Sequence, residues 1–126
     1  MGCWVYLARC GNNTIYTGAT TDLFRRVREH NRGATRGHGA KYTASRLPVS
    51  LAQAWQVDTW SNALRLEYAI KKCARTEKDL LIKQPERIYQ LAERRKLDFL
   101  ISEVSGDLLQ ETEAKYLTEP LQGNEG

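Results

Sequence analysis

The chain has 126 residues, of which 41% are apolar and 27% charged, with a formal net charge of +4. That length suits one compact unit, since domains run to roughly 100–200 residues, and the composition excludes both a disordered polyelectrolyte and a membrane protein. The longest uncharged apolar-leaning run, residues 47–57, holds Pro48, Ser50, Gln53 and Gln56, whereas a bilayer span needs about 20 apolar residues.

Two short runs rich in aromatic and branched residues open the chain, Trp4-Val5-Tyr6-Leu7-Ala8 and Thr14-Ile15-Tyr16-Thr17-Gly18. Gly11-Asn12-Asn13 lies between them, residue types that tolerate positive φ, so the pattern predicts a hairpin with Tyr6 and Tyr16 on adjacent strands. Thr20-Thr21-Asp22 supplies an N-cap for a helix to about residue 31 with Leu23, Phe24 and Val27 as its apolar stripe. Arg26 and His30, four apart, share a face of that helix. Residues 31–46 contain three glycines, four Lys/Arg and no acid, which reads as a basic loop.

Pro48 opens a third strand to about residue 57, where Val49, Leu51 and Trp55 suggest imperfect alternation. Ser61 then caps a helix to about residue 73, and its broad apolar stripe of Ala63, Leu64, Leu66, Ala69, Ile70, Cys73 and Ala74 takes in Glu67 at one edge. A further helix is expected over about 76–83, with Glu77 and Asp79 in its first turn as the macrodipole favours. Beyond Pro85 a longer helix is expected over about 86–104 and a last one over about 107–117, with residues 120–126 disordered.

The charge is unevenly spread. Residues 1–50 carry eight Lys/Arg against Asp22 and Glu29, a balance of +6, residues 51–85 carry +2, and residues 86–126 carry −4. A basic front half recruits a polyanion through phosphate contacts, and an acidic end is repelled by the same partner. Met1-Gly2-Cys3-Trp4 has no basic segment and Arg9 breaks the early apolar run, which argues against a secretory signal. Cys3, Cys10 and Cys73 are odd in number and unpaired in spacing, which points to a reducing cytoplasm rather than a disulfide framework.

Phosphodiester hydrolysis needs a cation on the phosphate, a donor for charge developing in the transition state, a base for the water, and help for the leaving oxygen. Glu67 is a candidate ligand for one hard divalent cation, Arg26 for the phosphate, and Tyr6, Tyr16 and His30 for base or orienting roles. Taken singly each has a plainer reading: strand tyrosines pack, helix-surface Arg and His are solvated, and Glu67 is a half-buried acid paired with Lys71 four residues on.

The order of these residues, Trp4-Val5-Tyr6, then Tyr16-Thr17-Gly18, then Asp22 to His30, then Gly39-Ala40-Lys41-Tyr42-Thr43, then Ala63 to Lys72, resembles the GIY-YIG nuclease superfamily. In particular it resembles the small stand-alone bacterial type, over about residues 3–83. The resemblance implies an α+β fold, a three-stranded antiparallel sheet flanked by helices over residues 1–85; beyond that it gives little, and the charge and helical pattern give an acidic helical extension over 86–126. The resemblance also implies Tyr6, Tyr16, Arg26, His30 and Glu67 as the catalytic set, Glu67 as the ligand of one Mg²⁺ or Mn²⁺ ion, and hydrolysis of a phosphodiester as the reaction. Four positions depart from the family pattern. Trp4 replaces the first motif's glycine, Thr17 the second motif's isoleucine, Ala19 a lysine found in some repair members, and Asp79 a late asparagine.

Arg32, Arg36, Lys41 and Arg46 suit phosphate contacts and Tyr42 a stacked base, a pairing that favours single-stranded or branched DNA over plain duplex and leaves RNA open. The expectation is therefore a cytoplasmic, metal-dependent endonuclease in DNA repair, recombination or uptake, not associated with a membrane. The alternative is a catalytically weak nucleic-acid-binding module on the same fold. The acidic end is expected as a helical cap or self-association element, or as a nucleic-acid mimic held near the basic cleft.

Overall fold

A computed structural model describes residues 2–26 and 49–109. Strand β1 (Cys3–Cys10) runs down the middle of an antiparallel sheet, β2 (Ile15–Thr20) on one side and β3 (Val49–Val57) on the other, with a two-residue β4 (Ser102–Glu103) beyond β3. The sheet thus has four strands where three were expected, the last added by the segment after residue 85.

The β1–β2 hairpin forms as its sequence predicts. Asn13 takes φ 69°, its N–H reaches the Cys10 carbonyl at 2.8 Å and the Cys10 N–H reaches Thr14 at 2.9 Å, which is a three-residue loop closed by a residue in the left-handed region. The turn sets the register, so Tyr6 lies opposite Gly18 and Ala8 opposite Tyr16.

Between β1 and β3 the ladder slips: Leu7 pairs with Gln53 but Ala8 with Leu51, leaving Ala52 as the extra residue of a bulge. The slip resolves the imperfect alternation of β3. Leu51 joins Ala54 on one face of the sheet and Trp55 joins Val57 on the other, although Leu51 and Trp55 are an even number of residues apart.

The face carrying Val5, Leu7, Trp55 and Val57 is covered by helices. Helix α1 (Trp60–Lys71) buries Ala63, Leu66, Ala69 and Ile70. Its N-cap is Thr59 rather than Ser61, the Thr59 hydroxyl accepting from the Asn62 N–H at 3.1 Å. Helix α2 (Arg75–Lys83) and a 3₁₀ turn (Pro85–Arg87) lead into α3 (Ile88–Arg94). The Trp55 indole N–H donates to the Pro85 carbonyl at 3.0 Å and the Gln53 amide to that of Ile82 at 3.1 Å, tying β3 to this layer.

Helix α3 stops at Arg94, ten residues short of the single helix expected over 86–104. Lys96 takes φ 58°, the Lys96 N–H bonds to Glu93 at 3.2 Å and the Leu97 N–H to Ala92 at 2.8 Å. That is the Schellman arrangement, made without the glycine that usually marks it. Ile88, Leu91, Ala92 and Ile101 enter the same core as the sheet and α1. No helix among the described residues is long and apolar enough to cross a membrane.

Candidate active site

The opposite face of the sheet carries Tyr6, Ala8, Cys10, Leu51 and Ala54, with Trp4 and Tyr16 packed beside them. Leu23, from the helical turn at residues 23–26, closes over this cluster. That turn starts where the sequence predicts. The Asp22 carboxylate accepts from the Arg25 N–H at 3.1 Å, and the Thr20 hydroxyl accepts from the Asp22 N–H at 3.1 Å. Leu23 is thereby buried and Arg26, one turn on, is carried back over the strands.

Tyr6 sits at the centre and is only 1% exposed. The Arg26 Nε–H donates to its hydroxyl oxygen at 3.3 Å, and the Tyr16 ring lies at 6.2 Å between centroids, tilted by 46°. Gly18 makes this packing possible, because a Cβ there would stand 2.5 Å from the Tyr6 hydroxyl oxygen and 2.9 Å from Tyr16 Cε2. Gly18 is thus the seat of the Tyr6 ring.

Burial pushes the Tyr6 phenol well above its ordinary value. The Arg26 charge and hydrogen bond offset part of that, while Tyr16 and the Glu67 carboxylate add to it. Tyr6 is therefore held as the neutral phenol at neutral pH, and Glu67 stands near enough for its charge to be felt there. Glu67 lies at the edge of α1's buried stripe with its side chain 17% exposed, and Lys71 Nζ approaches it at 3.3 Å. Both features match the sequence reading, the edge position and the partner four residues on.

Of the residues expected as the catalytic set, Tyr6, Tyr16 and Arg26 lie together on this face, and Glu67 stands on α1 with Lys71 as its ion-pair partner. His30 lies outside the described residues, as do Arg32, Arg36, Lys41, Tyr42 and Arg46. Asp79 is held by Arg75, whose Nε approaches it at 3.1 Å. From the C-terminal side, Val104 and Leu109 pack into the Tyr6 cluster, so the segment after β4 reaches the face that bears the site. The end of the acidic extension, residues 110–126, lies outside the described residues.

Residues 2–79 match the model of the GIY-YIG catalytic domain. The chain belongs to the GIY-YIG family. That membership makes it one of a family of nucleases and makes nucleic acid its partner class. Among its relatives, a "UPF0213 protein" of Syntrophus aciditrophicus is 48% identical over 86 residues, 68% of this chain and 95% of that protein. One from Halobacterium salinarum is 48% identical over 77 residues, 61% and 95% of the two chains. The solution NMR structure of a UPF0213 protein from Bacillus halodurans is 30% identical, covering 79% of this chain and all of that one with a TM-score of 0.43.

Within the GIY-YIG domain two departures from the family pattern have visible consequences. Thr17, at the isoleucine position, is 4% exposed on the helix-covered side of β2, and its hydroxyl has no hydrogen-bond partner among the described residues. Trp4, at the first glycine, packs beside the Tyr6 cluster with its indole N–H likewise buried and unpartnered among those residues.

A divalent cation is what the sequence resemblance leads one to expect. A hard ion such as Mg²⁺ is held through one or two carboxylates, with water and substrate phosphate completing its shell. Glu67 fits that role as a partly exposed carboxylate whose charge acts on the Tyr6 phenol. Among the described residues no cluster of three or more His, Cys, Asp or Glu offers an all-protein cage.

Proposed function

We propose that this chain is a divalent-metal-dependent endonuclease that hydrolyses DNA phosphodiesters, selective for single-stranded or branched DNA, and serving repair, recombination or uptake. The observation that carries the reading is the packing of Tyr6, Tyr16 and Arg26 on one face of the sheet, with Arg26 hydrogen-bonded to Tyr6 and the Glu67 carboxylate of α1 close enough for its charge to act on the Tyr6 phenol. An Mg²⁺ or Mn²⁺ ion on Glu67, when bound, supplies the charge that neutralises the scissile phosphate and activates water.

The chain's own residues then have separable roles. Arg26, its Nε committed to Tyr6, presents a planar guanidinium suited to non-bridging phosphate oxygens, where it counters charge growing in the transition state. Tyr6 works as a neutral phenol: accepting from Arg26, it points its own O–H toward the phosphate and orients the attacking water. Burial favours the donor role for Tyr6, and Tyr16 and His30 are the further candidates for taking the proton from the water. The basic stretch holding Arg32, Arg36, Lys41, Tyr42 and Arg46 supplies the strand contacts.

A second reading, a binding module with little turnover, draws on the Lys71 ammonium 3.3 Å from the Glu67 carboxylate, a cation where the metal would go. One assay separates the two. Labelled single-stranded, duplex and branched DNA is incubated with Mg²⁺, Mn²⁺ or EDTA, comparing the wild type with Glu67→Ala and Arg26→Ala. The nuclease reading expects cleavage that needs metal and falls at least about 100-fold in each variant, as for loss of one preorganised transition-state contact. Binding without metal-dependent cleavage favours the module, and cleavage that survives both substitutions overturns the assigned roles.

A further inference from the structure

The outer face of α1 is unusual for a surface helix. Trp60, Leu64 and Tyr68, spaced by four, form a stripe with exposures of 46%, 44% and 58%. Such a stripe on a helix normally faces a core, yet α1 already buries a different face against the sheet. Beside it runs a groove of about 520 Å³ between α1 and the turn after α3, lined by Leu64, Arg65, Tyr68, Arg95 and Leu97.

Cations frame this apolar surface. Arg65 stacks on Phe99 at 5.1 Å and meets Asp98 at 3.4 Å. Lys72 Nζ lies 5.2 Å from the centre of the Tyr68 ring, Arg95 lines the groove, and Lys71 stands next to the stripe. The acids nearby, Glu67 and Asp98, are both already in ion pairs, with Lys71 and Arg65 respectively. The surface therefore complements a polyanion that also has flat apolar faces to bury. An apolar protein partner would have to desolvate Lys72 and Arg95 without a carboxylate to compensate them.

The stripe is also continuous with the site. At 3.6 residues per turn, Glu67 borders Trp60 and Leu64 on the helix surface, and Tyr68 lies four residues beyond Leu64 along the stripe. We infer that the α1 groove is a subsite for unpaired nucleotides of a single-stranded nucleic acid, with a base stacked on Tyr68 and flanking phosphates held by Arg65 and Arg95. This rests on the nuclease reading for its partner class and adds where the strand runs beyond Glu67. Stacking needs a free base face, so the subsite selects unpaired strands over duplex. Phosphate contacts alone do not discriminate in that way.

The test is a binding titration in EDTA, read by fluorescence anisotropy of a labelled oligothymidylate and of a blunt duplex at the same salt. Tyr68→Ala is expected to weaken oligothymidylate binding about 5- to 150-fold, the usual loss for one stacked base, and to leave duplex binding and Tm unchanged. Tyr68→Trp is expected to restore it, and Arg95→Ala to lower the log–log salt slope by about one. Three results would overturn the subsite: no oligothymidylate binding by the wild type, equal affinity for the wild type and Tyr68→Ala, or parallel losses on single strand and duplex. So would a wild-type dimer in sedimentation equilibrium that Tyr68→Ala converts to monomer, since the face would then belong to a second copy. Because cleavage is silent in EDTA, the subsite fails or stands independently of metal-dependent activity.

Discussion

Replacing Gly18 by alanine adds one methyl group at the most crowded point of the site. The new Cβ would meet Tyr6 at 2.5 Å from its hydroxyl oxygen and 2.6 Å from Cζ, and Tyr16 Cε2 at 2.9 Å. Ordinary contacts between such atoms are about 3.5–4.0 Å, so the Tyr6 ring must retreat by about 1 Å. It has nowhere to go, being fully buried among Ala8, Leu23, Leu51 and Ala54 and bonded to Arg26. Overpacking of this kind costs about 1–3 kcal/mol, which for a chain of this size lowers Tm by roughly 5–12 °C. The same displacement moves Arg26 and the phenol together, and a misplacement of about 1 Å at reacting groups costs on the order of 100-fold in rate. Thermal unfolding followed by circular dichroism checks the first number and the cleavage assay the second. A Gly18→Ala protein that melts within about 2 °C of wild type would refute the close approach of Tyr6 to Gly18, whatever its activity.

Two further substitutions probe the same hairpin. The Tyr6 phenol is raised above the value of 10.0 it takes when unfolded, so the folded state keeps a proton that the unfolded state releases. Stability from this source is complete below pH 10 and is lost as pH rises above it, by up to about 1.4 kcal/mol per pH unit. Tyr6→Phe is therefore expected to flatten the decline in urea-unfolding stability above pH 10, and identical slopes for the two proteins would contradict the assignment. On the other face of the hairpin, Thr17→Val replaces a buried, unpartnered hydroxyl with a methyl group of similar volume. It is expected to stabilise the fold by about 1 kcal/mol, seen as a higher denaturation midpoint at constant slope, whereas a lower midpoint would mean that the hydroxyl has a partner.

Much of the candidate site's local geometry was readable before any tertiary structure. The two strand tyrosines, the hairpin turn with Asn13 in the left-handed region, the Asp22 cap that brings Arg26 over the sheet, and Glu67 at the edge of a helical stripe all depend on interactions within a few residues of each other, which local sequence encodes directly. The spacing of these residues carries the family, and the family carries the fold class. Ser61 failed as the cap of α1 because Thr59, two residues earlier, makes the same hydrogen bond and either residue type suits the position. The helix expected over 86–104 failed for a different reason: its end is set by Lys96 in a conformation that Leu97, packed on the core, makes worthwhile.

What the sequence determined by itself is the chemistry on offer: which groups are able to bind phosphate, which are able to carry protons, and which local elements hold them. Only the tertiary structure decided where those groups point. The bulge opposite Leu7 and Ala8 chooses which face Leu51 and Trp55 occupy, because register is settled by two strands pairing and not by either alone. The raised Tyr6 phenol, the tight seat at Gly18 and the exposed stripe on α1 likewise arise from residues distant in sequence brought into contact or left uncovered. Burial and its energetic consequences are properties of the packed whole.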